Sequence, residues 1–203
     1  MTIRALVLSL ILALGVAAGQ PQHAAPAIIR VDRSSVGGVD AKTTLDEPTF
    51  KRLFPGYAVV KSILYSENEP TGFEIAVSQG GVSVLRAQRF ASDDLRVQID
   101  DPRIKTEGGR SVGMLVAQMI PRNGHLECSA GQEEMQGKLF CKDSSKSKFD
   151  QYLYCIEVRD SAEYMFNATR VERRALADRK VLWILWFPPN QASRTNLGVL
   201  VIP

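Results

Sequence analysis

Three cysteines, Cys128, Cys141 and Cys155, are the residues of this chain best suited to chemistry. The first two form a C-x12-C pair, which either bridges or binds a metal as thiolates. A thiolate metal site wants four ligands, commonly in C-x-x-C pairs, and no such pair is present. A disulfide is therefore favoured. Leu126 and Cys128 fall on one face of a short strand, and Leu139 and Cys141 fall on one face of the next. An antiparallel hairpin then brings the two sulfurs together across the ladder. Closing a loop of this length contributes about 3 kcal/mol in the chain-entropy account of disulfides. Cys155 is left over in the strand-like Tyr152-Leu153-Tyr154-Cys155-Ile156 and reads as a buried, inert thiol.

Other reactive groups are sparse. The chain has two histidines, His23 and His125, too few for a histidine metal site. No G-x-S-x-G elbow accompanies His125, so a hydrolase triad lacks its nucleophile. His125 and Glu127 point the same way, which reads as a solvated hairpin face. Gly108-Gly109 resembles an anion-binding turn, but without G-K-[ST] or G-x-G-x-x-G a plain turn is the simpler reading. Asp93-Asp94 and Asp100-Asp101 offer oxygens for calcium, yet sequence neighbours on a strand point to opposite faces and no EF-hand spacing appears. They read as solvated turns. Glu133-Glu134 falls at the expected hairpin tip, and Asn167-Ala168-Thr169 is a sequon that matters only in a eukaryotic secretory pathway. No catalytic residue, metal ligand or cofactor site is assigned.

Two features are candidates for binding. Arg170, Arg173, Arg174, Arg179 and Lys180 cluster near an expected late helix, where they offer contact to anionic lipid headgroups or an anionic polymer. The interruptions Glu172 and Asp178 fit an ordinary solvated helix face as well. Trp183, Trp186 and Phe187 would line a pocket or pack a core, and the core reading is preferred for large aromatics.

Several elements must position these residues. Residues 1–19 read as a signal peptide: one basic residue, Arg4, an uncharged stretch from Ala5 to Val16, then Ala17-Ala18-Gly19. That stretch is well short of the roughly 20 residues a bilayer span needs, so no membrane anchor remains after cleavage. Residues 20–27 follow as a flexible leader, and residues 28–203 as a single domain of sufficient length for a sizeable core. The formal charge of +3 falls to about +2 without Arg4, leaving no basic face for nucleic acid. Within the domain, Asp46-Glu47-Pro48 starts a short helix that ends by Phe54. Alternating patterns predict strands over 57–64, 73–77, 82–89, 95–99, 126–128, 138–141 and 152–158. Helical spacing is expected over 111–120 and again over 171–179. Val181 to Phe187, apolar on both faces, predicts a central strand, and Leu197 to Ile202 an edge strand. The expected fold is α+β, mostly antiparallel sheet with two or three short helices and one disulfide-stapled hairpin.

Gly109-Arg110-Ser111-Val112-Gly113 has the form G-x-x-V-G, followed by the C-x12-C pair, the Tyr152–Ile156 strand and Val181-Leu182-Trp183-Ile184-Leu185-Trp186. With Leu45-Asp46-Glu47 and Gly80-Gly81 upstream, this order resembles the sigma-E-regulated lipoproteins of the bacterial envelope, a family without an assigned function. The resemblance covers roughly Thr43 to Phe187. It implies a periplasmic or secreted protein linked to envelope stress, and brings no catalytic residues. The chain departs from the family in lacking a cysteine at the signal exit for lipid attachment and in carrying Cys155. The leading expectation is thus an exported envelope protein with a binding or structural role, its partner an envelope protein or the anionic surface. The rival is a periplasmic hydrolase with a carboxylate-based site.

Overall fold

The computed structural model describes residues 29–66, 68–122, 124–131, 137–143, 151–158, 169–189 and 191. The expected signal and leader segments, Glu133-Glu134, Asn167 and the expected strand over 197–202 lie outside them.

Among the described residues, nine strands build one antiparallel sheet. They are β1 (Ala58–Ser66), β2 (Glu69–Gln79), β3 (Val82–Phe90), β4 (Leu95–Ile99), β5 (His125–Ala130), β6 (Lys138–Asp143), β7 (Tyr152–Glu157), β8 (Thr169–Glu172) and β9 (Val181–Trp186). Their spatial order is β1-β2-β3-β4-β9-β7-β6-β5-β8. Among the described residues the last strand in sequence therefore sits in the middle and joins two antiparallel ribbons. Its all-apolar sequence follows from that place, because a central strand is covered on both faces. One row of residues runs in register through eight strands: Val59, Val77, Leu85, Ile99, Ile184, Tyr154, Cys141 and Cys128. All eight are buried and belong to the main core.

Helix α1 (Glu47–Leu53) packs into that core through Phe50, with Phe54 just beyond it. Asp46 caps it by accepting from the Thr49 backbone N–H at 2.7 Å, and Pro48 sits in the first turn, where no intrahelical N–H is required. Upstream, a tight segment with bridges Val31–Val36 and Val36–Val39 turns three valines into the same core. On the other face of the sheet, Phe140, Leu153, Cys155, Leu185 and Phe187 form a second apolar cluster, with Leu182 and Trp183 against it.

The sheet and the stapled hairpin match the sequence pattern, but the helices shrink, so the fold is closer to all-β than to α+β. Over 111–120 only the last turn, α2 (Val116–Met119), is helical. Gly113 adopts φ +80°, a conformation that interrupts a right-handed helix. Its N–H donates to the Val181 carbonyl at 2.7 Å, the Val181 N–H donates to the Met114 carbonyl at 3.0 Å, and Leu115 bridges Lys180. The segment is thus drawn alongside the start of β9 rather than coiled. The second expected helix divides similarly. Val171 pairs with Leu126 in β8, and only Arg173–Leu176 turns, as a 3-10 helix that buries Leu176. Among the described residues no helix is long and apolar enough to cross a membrane.

Candidate functional site

The expected hairpin is β5–β6, and Cys128 faces Cys141 directly across it with an S–S bond of 2.05 Å. Both half-cystines are fully buried. Beside them lies a polar network that the sequence reading passed over. Arg110, inside the G-x-x-V-G loop, sends Nη1 to the Tyr154 hydroxyl at 2.6 Å and Nη2 to Asp143 Oδ2. Tyr154 is the register partner of Cys141, and Asp143 follows Cys141 by two on the same strand face. The loop is held for this purpose by Thr106, whose hydroxyl accepts from the Arg110 N–H at 3.1 Å and whose N–H donates to the Arg110 carbonyl at 2.8 Å. Arg110 is 7% exposed and Asp143 only 2%, so the charges are out of water. Burial alone would lower the guanidinium pKa, but Tyr154 and Asp143 more than offset it and hold Arg110 above its ordinary value. The network ties the loop to β6 and β7 and leaves the Asp143 carboxylate committed to Arg110.

The outward face of β2–β4 carries a second polar array. Gln88 is register partner to both Glu74 and Arg96. Its amide donates to Glu74 Oε2 at 2.5 Å, and its carbonyl accepts from Arg96 Nε at 2.6 Å. One step along, Asp100 accepts from Ser83 Oγ at 2.6 Å, Arg86 Nε at 3.2 Å and Gln98 Nε2 at 2.7 Å. Burial pushes the Arg96 guanidinium down to about 10, an effect Glu74 partly opposes. It remains cationic at neutral pH.

The basic residues singled out from the sequence are spread rather than gathered on one helix face. Arg170 stands opposite Glu127 on β8, and Arg174 pairs with Glu172 at 2.5 Å. Arg173 turns inward to the Ala117 carbonyl, Arg179 lies 3.6 Å from Asp178, and Lys180 sits in the bridge to Leu115. His125 and Glu127 share a strand face as expected, with Glu172 opposite His125. Asp93 is at an exposed turn and pairs with Arg89 at 2.7 Å. Asp101, by contrast, is buried, and the Arg103 guanidinium holds its carboxyl below the usual carboxylate range. Gly109 turns at φ +73°, the plain turn expected. Trp186 fills the core, and Trp183 packs against Phe140 with ring centroids 5.4 Å apart and the planes tilted by 54°. Cys155 is a buried free thiol whose pKa burial raises to about 12. Its strand places it on the face opposite the disulfide.

A cleft of about 220 Å³ opens between the first described residues and α1, lined by Arg30, Asp32, Leu53, Phe54 and Tyr57 among others. Among the described residues, no group of three or more His, Cys, Asp or Glu is placed to hold a metal ion.

Fold and site together define a disulfide-stapled, nine-stranded antiparallel sheet protein with a buried arginine network. No family model matches the chain, and no curated protein does. Among solved structures, the crystal structure of the uncharacterized protein YfeY from Escherichia coli is similar, with a TM-score of 0.59 at 17% identity. The match covers 78% of this chain and 99% of that one. At that identity the likeness is one of fold.

Proposed function

We propose that this protein is exported to the bacterial envelope, periplasmic or secreted, and acts there by binding or as a structural component, in the manner of the sigma-E-regulated lipoproteins it resembles. The observation that carries the reading is the buried Cys128–Cys141 bridge, since such bonds persist in oxidising compartments and are rare in a reducing cytosol. The signal-like residues 1–19 point the same way. A role without chemistry is supported by how the better-buried carboxylates are used. Asp143 is bound by Arg110, Asp101 by Arg103, and Asp100 by Ser83, Arg86 and Gln98. Each is tied into an ion pair or hydrogen-bond set, and the Asp101 carboxyl is held below its ordinary value, the opposite of the raised pKa a general acid needs.

The test is compartment and mature N-terminus. Expressed in a bacterium, the full chain is expected in the periplasmic or culture fraction, starting near residue 20. Recovery from the cytosol with Met1 or Thr2 intact overturns export. A link to envelope stress predicts higher transcript levels when outer-membrane folding is disturbed, and an unchanged level removes that part of the reading.

A further inference from the structure

On the outward face of the sheet, Arg86 of β3 lies opposite Gln98 of β4, and Gln88 lies opposite Arg96. The two arginines are diagonal neighbours in one square of long polar side chains, about 7–8 Å apart in such ladders and within reach of a shared ligand. Each is anchored through Nε, Arg86 to Asp100 and Arg96 to Gln88. Among the described residues Nη1 and Nη2 of both have no partner. That end of a guanidinium is the one that takes two oxygens of an oxyanion side by side.

Arg96 is half-buried, with the Phe90 ring 4.3 Å from its guanidinium carbon, and its direct polar contact is to the neutral Gln88 amide. Glu74 lies one strand further and accepts from Gln88 instead. The Glu74 carboxylate is near enough to act on Arg96 as an opposing charge, but Gln88 stands between them and the two make no direct ion pair. Asp100 pairs with Arg86 at 3.2 Å and also accepts from Ser83 and Gln98.

We propose that Arg86 and Arg96 form a binding site for a phosphate oxyanion, with Gln88 and Asp100 holding the two forks in place. Two forks match the three or four oxygens of phosphate better than the two of a carboxylate. The phosphate belongs either to a small soluble ligand or to a lipid headgroup, and the same side chains would read both. The site gives a ligand class to the binding role proposed above but stands on the folded sheet alone. Its failure would leave the export test untouched.

The test is a titration of the 15N-labelled, disulfide-bonded protein with inorganic phosphate at constant ionic strength. Saturable shifts are expected at the Arg86 and Arg96 Nε–H groups and at the Gln88 and Gln98 side-chain amides, with none at Arg174. R96Q is expected to weaken binding at least about tenfold, as loss of a charge-assisted bidentate contact would. R96K, which keeps the charge and loses the fork, is expected to weaken it too. Flotation with phosphatidylcholine vesicles containing phosphatidate separates the two sources. Retention that R86Q/R96Q abolishes identifies a lipid headgroup, and phosphate shifts without retention identify a soluble ligand. Absence of saturable shifts at Arg96 in the unmodified protein overturns the proposal. So does unchanged phosphate affinity in an R86Q/R96Q protein that keeps the native spectrum.

Discussion

Arg110 and Asp143 sit 33 residues apart in sequence and meet where water is excluded, so each is the other's compensation. Removing one partner of a buried pair leaves an unpaired charge and typically costs about 3–5 kcal/mol. Asp143→Ala is expected to lose that much in urea unfolding. The apolar double variant R110M/D143L is expected to lose less than D143A alone, because it removes both desolvation penalties together. If the double variant is as unstable as the sum of the two single ones, the pair is not coupled as described. Cys155 gives a second prediction at this scale. Its folded pKa of about 12 lies above the value of 9.0 usual for the free thiol. Between those values the unfolded chain releases a proton that the folded chain retains. Stability is therefore unaffected below about pH 9 and falls as pH rises through the window, by up to roughly 1.4 kcal/mol per pH unit. Cys155→Ala should remove this slope from a series of urea melts, and a slope that persists assigns it to another group.

Among the elements, the stapled hairpin carries the clearest consequence. The double variant C128A/C141A is expected to lose about 3 kcal/mol. For a domain of this size that is a fall of roughly 6–12 °C in melting temperature. A loss under about 1 kcal/mol, read by calorimetry, would mean that the reduced chain is already constrained around β5 and β6. The hairpin was legible because strand alternation put Cys128 with Leu126 and Cys141 with Leu139, a purely local signal. The central position of β9 was legible for the same reason, from apolar residues on both faces. The helices were not. Val112, Leu115, Val116 and Met119 have helical spacing, but Gly113 breaks the turn and β9, some 65 residues away, recruits the segment. Val171 was read into a helix because its partner Leu126 lies across a non-local pairing. Arg110, Asp143, Arg86 and Arg96 escaped notice because their roles depend on strand order. Periodicity sets which residues share a face of one strand, and pairing decides which strands lie side by side.

For the whole molecule, strand order matters more than any single contact. β9 lies between β4 and β7, so the ribbon β1–β4 and the ribbon β5–β8 share one sheet and one core row. Unfolding is therefore expected to be a single cooperative event. Fluorescence of Trp183 and Trp186, both in β9, should change over the same urea range as the far-ultraviolet dichroism of the sheet, and separated transitions would show that the two ribbons unfold independently. The two edges differ as well. β8 is four residues long and bears Arg170 and Glu172, a well-protected edge, whereas β1 runs for nine residues with Val60, Ile63 and Tyr65 exposed.

The Cys128–Cys141 bridge, on which the proposed export rests, is tested most directly by thiol mapping. Protein recovered from a bacterium without reductant would be alkylated in its native state, alkylated again after unfolding, and digested for mass spectrometry. The expected result is a Cys128–Cys141 linked peptide, with Cys155 unmodified in the native protein and labelled only after unfolding. Three cysteines that all accept label without reduction would contradict the stapled domain and the export proposed for it. A bridge that includes Cys155 would contradict the strand pairing itself.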